Sequence, residues 1–583
     1  MFAAAHYAAL AVFIAACWGY GRAMLVRLGA PPRRDVWLET GMAMATGIGL
    51  FICAFQAFAI AGWLTRGVVI AAVVIGVAAA VPQLPAWLRQ VRAREVTPAL
   101  SWLEKVGMIS LALIALPTLA APLAPPAAFD ELMYHLPYAR EVANSGALGI
   151  HEWLRYPWFP YNYNLLYAAA LQLGDDVLPH FVSAFAGWLS VWIVYRLGLI
   201  HVNRVVACVA AAIWLGMGDY SSALIDVSVA LFILAACASL WWWREAPPRR
   251  GARWLALAAF FLGIAVGSKY QALTVLPMLG LFVLWFERRP RVLAIALVCF
   301  LVPCIYWYAR NAIMTGDPFN PIGARVFGFT NWNAEDYRLQ LQDVRDHANP
   351  PNLLIWAVLA VPFSRYWKHS PALRAALVFC GYSLVVWSLT SRYPRYLMLA
   401  FPMFALTAAV GWQTLFGRLA ARLRRAMPVR DRSGALDRAG RWFAVVLLVA
   451  GLGVSFYLTR QKVSQIATTP AEREAFLRAH VPGYAVMNYL REHATGRVYQ
   501  IALIEATYYG PVPVWGDAIG PWRYSDFIVL PPAEFARKLS GLGFEAIAVS
   551  GATAPRLEAQ PGFHDHFALM YEMDNAKAYR IVP

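Results

Sequence analysis

Phe129-Asp130-Glu131-Leu132-Met133-Tyr134-His135-Leu136-Pro137-Tyr138-Ala139-Arg140-Glu141 follows directly on the apolar run 106–123 and the Pro-rich step Pro122, Pro125, Pro126. Two adjacent carboxylates, a histidine and two tyrosines therefore sit just past the end of a membrane-length segment. Polar and charged groups at that depth are costly unless they meet water, a counter-charge or a substrate. The stretch reads as the mouth of a catalytic cavity, and the rest of the chain as the scaffold that holds a substrate against it.

Of 583 residues, 60% are hydrophobic and 14% charged, with a mean hydropathy of +0.51. Soluble domains carry roughly a quarter charged residues, so this is the composition of a chain that crosses a membrane many times. A net charge of +17 raises the question of nucleic acid. The basic residues lie instead in short runs between apolar segments, as cytoplasmic loops do, and no nucleic-acid partner is expected. The seven cysteines (Cys17, Cys53, Cys208, Cys237, Cys299, Cys304, Cys380) all fall within apolar segments. None forms a CxxC pair, which argues against a disulfide framework or a zinc site. The stretch from His6 to Tyr20 lacks a basic leader and a clear cleavage site, so it reads as a retained helix.

About fourteen apolar runs span, or nearly span, the roughly 20 residues a membrane helix requires. They are 4–20, 36–62, 68–85, 106–123, 177–199, 205–217, 222–243, 254–268, 271–286, 292–309, 352–363, 372–390, 396–416 and 442–458. The runs 205–217, 254–268 and 352–363 are short. Basic residues test the alternation. Arg22, Arg27, Arg33 and Arg34 follow the first run, Arg89, Arg92 and Arg94 the third, and Arg196 and Arg204 the fifth. Arg244, Arg249, Arg250 and Arg253 follow the seventh, Arg288, Arg289 and Arg291 the ninth, and Arg365, Lys368 and Arg374 the eleventh; the densest run, 418–441, follows the thirteenth. Every second loop is basic, which assigns those loops to the cytoplasm and both termini to the outside. The external segments are then the Asp130 loop (123–176), the Asp219, Lys269 and Arg392 turns, the loop 310–351 and everything after Thr459. Trp153, Tyr156, Trp158, Phe159, Tyr161 and Tyr163 suit the headgroup layer, and 164–173 reads as an interfacial helix too short to span.

The tail changes character. Residues 471–493 look helical, 497–504 reads as a strand, 532–542 as a helix stopped by Gly543, and 545–550 as a second strand; 566–573 and 578–582 suit a closing pair. The expected organisation is a membrane catalytic domain, 1–458, followed by a small external α/β domain, 459–583. No Gly-rich phosphate loop or metal-ligand spacing occurs in the tail, and no internal repeat is evident, which weakens an inverted-repeat transporter.

Outside a bacterial inner membrane there is no ATP or nucleotide sugar, so a transferase there needs an activated lipid. A polyprenyl-phosphate sugar fits: the phosphate leaves, an acceptor hydroxyl attacks, one carboxylate takes the proton and cations stabilise the departing phosphate. Asp130 is the external acid. Lys269, Arg310, Arg392 and Arg395 all lie at external helix ends, against the usual charge asymmetry. Singly each could be a snorkelling anchor; together they favour an anionic ligand, with Arg offering two donors and Lys a point charge. Asp226 lies one turn inside the seventh run, where it must either pair with a cation such as Lys269 or orient a substrate. Asp219 is read as plain surface. Glu131 points about 100° away from Asp130 on a helical path, so both cannot face one ligand equally. Tyr134 and His135 support the loop, His135 through a hydrogen bond rather than as an acid or base.

These residues resemble the GT-C superfamily of membrane glycosyltransferases, in the branch of the protein O-mannosyltransferases and the lipid A aminoarabinose transferases. Phe129 to Pro137 is similar to the family's first external loop, which implies that Asp130, ahead of Glu131, is the catalytic base. Leu224-Ile225-Asp226-Val227 resembles its second acidic position, and Gly263-Ile264-Ala265-Val266-Gly267-Ser268-Lys269-Tyr270 a Gly-rich helix end carrying Lys. Trp307-Tyr308-Ala309-Arg310-Asn311 with Thr315-Gly316-Asp317-Pro318-Phe319-Asn320-Pro321 resembles a helix-to-loop signature, and Arg392-Tyr393-Pro394-Arg395-Tyr396 an Arg-Tyr entry to a late helix. The matches run in family order over roughly residues 105–420. Three extra helices precede the catalytic loop, a departure from many members.

The expected protein is thus a polytopic α-helical, GT-C type glycosyltransferase of the bacterial inner (plasma) membrane. It would transfer a hexosyl or pentosyl group, with inversion, from a polyprenyl-phosphate donor to an extracytoplasmic glycan, lipid or protein hydroxyl. Asp226 with Glu131 would orient hydroxyls, and the four cations would hold phosphate. The resemblance implies no metal and no cofactor. The alternatives are a lipid-linked glycan transporter or flippase, and a polymerase or ligase using a diphosphate-linked donor.

Overall fold

The computed structural model describes residues 1–582 apart from 33, 94–98 and 427–433; Arg33, Arg94 and part of the basic run 418–441 lie outside the described residues. Nine helices among the described residues are long and apolar enough to cross a membrane: Phe2–Leu28, Val36–Ile60, Arg66–Arg92, Trp102–Leu123, Leu178–His201, Asp226–Glu245, Pro371–Thr390, Pro394–Ala426 and Asp437–Val463. Pro290–Leu301 and Ile305–Thr315, bent by 71°, together make a tenth candidate. Arg204–Leu215, Gly251–Val266, Tyr270–Phe286 and Leu353–Phe363 are the remaining runs of the expected fourteen, and all are shorter. A twelve-residue helix reaches only about 18 Å of a ~30 Å hydrocarbon layer.

Burial orders the bundle. The most apolar window of Asp226–Glu245 is 89% buried and that of Asp437–Val463 only 6%, so the first is the central post and the second faces lipid. Close helix contact comes from small residues, as membrane packing without a hydrophobic drive requires. A Cβ on Gly21 would lie 1.6 Å from the Ala43 carbonyl oxygen, and one on Gly47 would lie 1.9 Å from that of Cys17. One end of the bundle is laced by basic residues of the odd-numbered loops. Arg22 donates to Glu39 and Gln90, Arg196 to Asp35 and Arg204 to Glu104. The Asp130 stretch lies at the other end.

The helix Asn164–Leu173 is present, but it is no surface helix. Residues Asn164 to Ala170 are all buried, because Tyr163, Tyr167 and the Ala168–Ala170 face pack into the bundle. Asp226 is also re-placed: it is the first residue of its helix, not one turn inside it, because residues before it form a loop.

The C-terminal end carries a small sheet-containing domain. Its strands are β1 (Arg497–Ile501), β2 (Val514–Trp515), β3 (Phe544–Ser550), β4 (Phe567–Met573) and β5 (Ala576–Ile581), in the order β2-β1-β3-β5-β4. β1 is parallel to β2 and β3, while β5 runs antiparallel between β3 and β4. The single helix expected over 471–493 is two, Pro470–His480 and Tyr484–His493, broken at Gly483 with φ 79°. The last span runs on to Val463.

Ion pairs fasten this domain to the loops at the Asp130 end of the bundle. Arg155 grips Asp517 through both Nε and NH2, Arg523 holds the buried Asp336, and Arg473 meets Asp176 at 2.6 Å. The Tyr509 hydroxyl donates to the Pro126 carbonyl at 2.7 Å. Removing one partner of a buried pair strands the other. Asp517→Ala should therefore cost about 3–5 kcal/mol, read as a lower thermal unfolding temperature and faster protease cleavage between the last span and the domain. Wild-type behaviour in both assays would rule out Arg155–Asp517 as the fastening.

Candidate active site

The Asp130 stretch widens before it becomes a regular helix. The Leu136 N–H bonds to the Glu131 carbonyl five residues back, a π-type turn over Glu131–His135, and the helix Leu136–Ser145 follows with Pro137 in its first turn. Asp130 and Glu131 diverge here. Asp130 lines the large cavity; Glu131 is fully buried behind it. The Glu131 carboxylate accepts from His180 Nε2 at 2.5 Å, the Ala223 N–H at 2.7 Å and the Ala128 N–H at 3.2 Å. The expectation that Glu131 orients substrate is corrected: its oxygens are committed to joining the loop to two other segments.

Asp130 is the first member of a chain of alternating charges. Arg395 NH1 lies 2.5 Å from Asp130 Oδ2, Arg395 Nε lies 2.9 Å from Asp226 Oδ2, and Lys269 Nζ lies 2.5 Å from Asp226 Oδ1. Four separate segments deliver these groups. Asp226 opens the central helix, where the unpaired N–H groups of the first turn favour an anion. Lys269 follows the glycine-rich end of the helix Pro248–Val266. A Cβ on Gly267 would meet the Asn162 amide at 2.2 Å, and one on Gly263 the Phe300 carbonyl at 2.1 Å. Those glycines let neighbouring segments close in and fix where Lys269 emerges. Arg395 sits in the 3-10 turn Pro394–Ala400 that leads into a span. Burial pushes the Lys269 ammonium down from the usual lysine value, against the opposing pull of Asp226.

The cavity encloses about 2380 Å³ including its mouth, and its wall carries Asp130, Lys269 and Arg395. Tyr134, Tyr156, Phe159, Tyr270, Trp387, Tyr393 and Tyr396 supply an aromatic lining. The opposite wall is the helix Ala334–Asp346, which presents Tyr337, Gln340 and Asp343, with His347 just beyond it. Gln340 accepts from the Tyr156 hydroxyl at 2.7 Å. Among the described residues no group of three or more His, Cys, Asp or Glu is placed to hold a metal ion.

Two of the four expected phosphate ligands lie elsewhere. Arg310 is buried, bonded through Nε and NH2 to Asn311 Oδ1, and its guanidinium stands 5.6 Å from the Trp158 ring and 5.1 Å from that of Trp307. It braces the loop by cation–π contact and does not line the cavity. Arg392 is exposed at φ 54°, with Nε on the Ser388 carbonyl, at the rim outside the lining. Proximity to a helix end selected both, but each side chain is turned by its own local partners.

Tyr134 does line the cavity, and His135 lies behind it. Asn164 Nδ2 donates to the His135 carbonyl at 3.0 Å and to His135 Nδ1 at 3.1 Å. The carbonyl needs a donor, so the amide nitrogen is fixed there and the ring proton is left on Nε2. These contacts tie His135 to the helix Asn164–Leu173. Sequence reasoning missed His180 and the wall helix. The signals were a lone histidine in an apolar span and the Asn333–Asp336 capping box, which marks a helix start.

Glu131→Ala would leave His180 and the Ala223 N–H buried without their partner. A loss of about 3–5 kcal/mol is expected, seen as a lower unfolding temperature; wild-type stability with lost activity would instead make Glu131 a substrate-touching group. Burial pushes His135 down to about 3, against about 6.5 in the unfolded chain. The unfolded chain takes the proton first, so this contribution is complete above about pH 6.5 and is lost as pH falls toward the folded value. His135→Asn should therefore lose less stability than the parent between about pH 7 and pH 5 in thermal unfolding. Equal losses would mean the ring titrates normally.

Comparison with known proteins supports the architecture. Residues 157–320 match the family model for dolichyl-phosphate-mannose-protein mannosyltransferase, and 472–580 match a model described only as SF2091/S2213. An uncharacterised Shigella flexneri protein is 42% identical over 76 residues, which is 13% of this chain and 38% of that protein's length. A second uncharacterised Shigella flexneri protein is 24% identical over 164 residues, 25% of this chain and 78% of its own length. Among solved structures, the undecaprenyl-phosphate complex of ArnT from Cupriavidus metallidurans superposes with a TM-score of 0.51 at 15% identity, covering 83% of this chain and 99% of ArnT. Its apo form gives 0.51 at 17% identity, covering 82% and 97%. The fold is that of the GT-C membrane glycosyltransferases.

Proposed function

We propose that this GT-C protein transfers a sugar from a polyprenyl-phosphate donor to an acceptor hydroxyl at the extracytoplasmic face of a bacterial inner membrane. The observation that carries this reading is the Asp130–Arg395–Asp226–Lys269 chain, of which Asp130, Arg395 and Lys269 line a large, aromatic-rich cavity. The match to a dolichyl-phosphate-mannose-dependent family and the fold of an undecaprenyl-phosphate-binding protein support a lipid-phosphate donor.

In this mechanism Asp130 takes the acceptor hydroxyl proton as the acceptor oxygen bonds to the anomeric carbon. The carbon–oxygen bond to phosphate breaks on the opposite face, and its electron pair leaves with the lipid phosphate. Attack and departure on opposite faces invert the anomeric centre. The site keeps its net charge through the step: Asp130 loses one negative charge as the leaving phosphate gains one. Arg395, which pairs with Asp130 before transfer, follows the charge to the leaving phosphate, with no cation brought in from solvent. Lys269 supplies a second positive point charge, and Asp226 holds both cations in place. Residues Tyr337, Gln340 and Asp343 on the facing wall suit the hydroxyls of the sugar or acceptor.

A positioned general base contributes about 10²–10⁴ to a rate. With purified protein and labelled polyprenyl-phosphate sugar, Asp130→Asn should lower transfer by that order while donor binding stays near the parent's. Full transfer by the variant would overturn the assignment. In a deletion strain the monophosphate-linked sugar should accumulate; accumulation of a diphosphate-linked oligosaccharide would point to a polymerase or ligase.

A further inference from the structure

We propose that Arg523 of the C-terminal domain is a positioning residue for glycosyl transfer. It fixes the helix Ala334–Asp346 and, through it, the groups that meet the acceptor across the cavity from Asp130. This assignment rests on the glycosyl-transfer reading and gives the C-terminal domain a part in it. Arg523 NH1 lies 2.8 Å from each oxygen of Asp336, and its Nε lies 2.8 Å from Asp526 Oδ2 in its own domain. Asp336 is 1% exposed, so loss of either partner strands the other away from water.

The carboxylate that Arg523 grips is the one that starts the wall helix. Asp336 Oδ2 accepts from the Asn333 N–H at 2.9 Å, and the Asp336 N–H donates to Asn333 Oδ1 at 2.8 Å. These two bonds form a capping box, which sets where the first turn begins and how the chain enters it. Tyr337 is the next residue and Gln340 follows one turn on; both line the cavity, as does Asp343. A displacement of the cap therefore carries all three with it. The far end of the helix is pinned separately, by the Asn349 N–H on the Arg392 carbonyl at 3.1 Å. Arg523 is itself held by a closed turn: the Asp517 N–H bonds the Trp522 carbonyl at 3.1 Å, and the Tyr524 N–H bonds the Asp517 carbonyl at 2.8 Å. Asp517 is the residue that Arg155 grips, so one turn both fastens the domain and sets the wall.

The two faces of the wall helix differ. Glu335, Arg338, Gln342, Arg345 and Asp346 are exposed on its outer side. A polar face turned outward and cavity groups turned inward put this wall between the cavity and water. A lipid-linked donor is anchored from the membrane, with its phosphate beside Lys269 and Arg395. The wall on the water side is thus left to the acceptor.

The test is acceptor saturation. Full-length protein is supplied with labelled polyprenyl-phosphate sugar, and an envelope extract of the deletion strain is titrated in as the source of acceptor. Arg523→Gln should raise the amount of extract that gives half-maximal transfer about tenfold, with the maximal rate within about twofold of the parent's. Asp336→Asn should do the same. Arg523→Lys, which keeps the charge but loses the planar fork, should recover part of the shift. Amide exchange over residues 334–346 should quicken in the same order of variants. Arg478→Gln, which removes a surface pair with Asp574 inside the domain, should change neither readout. An unshifted half-saturation in Arg523→Gln overturns the proposal, and so does a fall confined to the maximal rate, which would make Arg523 a brace without influence on the acceptor. No transfer by the parent would overturn the glycosyl-transfer reading and this assignment with it, a result distinct from parental transfer with an unshifted variant.

Discussion

A carboxylate shared by two cations dictates the layout of the Asp130 end of this bundle. Asp226 stands at the head of the most buried helix, and an isolated ion there would be expensive to desolvate. Arg395 and Lys269 neutralise it from two other segments. Arg395 has a second edge to spare, and Asp130 takes it. Two acids and two bases thus form a neutral set of four, which can be held inside a protein–membrane boundary at modest cost. Arg395 Nε and NH1 are taken by the two carboxylates, while its NH2 has no protein partner among the described residues.

The loop that carries Asp130 is held from behind by different chemistry. Glu131 reaches the Leu178–His201 span through His180 and the segment before Asp226 through the Ala223 N–H. Adjacent carboxylates therefore do opposite jobs. One is free to face the cavity because the other is locked, and the widened turn between them and the next helix sets the angle. Acidic residues next to one another in sequence are poor guides to a shared ligand when a helical path sends them to different sides.

Much of this was legible in the chain. Hydropathy, the alternation of basic loops and the order of the motifs led to the fold, and Asp130, Lys269, Arg395 and Tyr134 do share one cavity. Pairing of Asp226 with Lys269, one of two readings open for that residue, is what the geometry contains. Arg310 and Arg392 escaped the same logic. A guanidinium on a flexible three-carbon stem can turn toward an adjacent Asn or a carbonyl four residues back, and hydropathy carries no record of that choice. The break at Gly483 and the strand β2, only two residues long, were likewise below the resolution of periodicity. The buried course of Asn164–Leu173 depended on partners far away in sequence.

The buried apolar cluster that begins among the membrane helices does not stop at the membrane. It runs through Leu132, Met133 and Tyr134 into Tyr508, Tyr509, Val514 and Ala546 of the C-terminal domain. In sequence that domain follows every described span, so it is synthesised after them. The Asp130 loop is therefore incompletely packed until those later residues fold onto it. The cavity wall thus depends on a late-made domain as much as on the membrane helices that carry it.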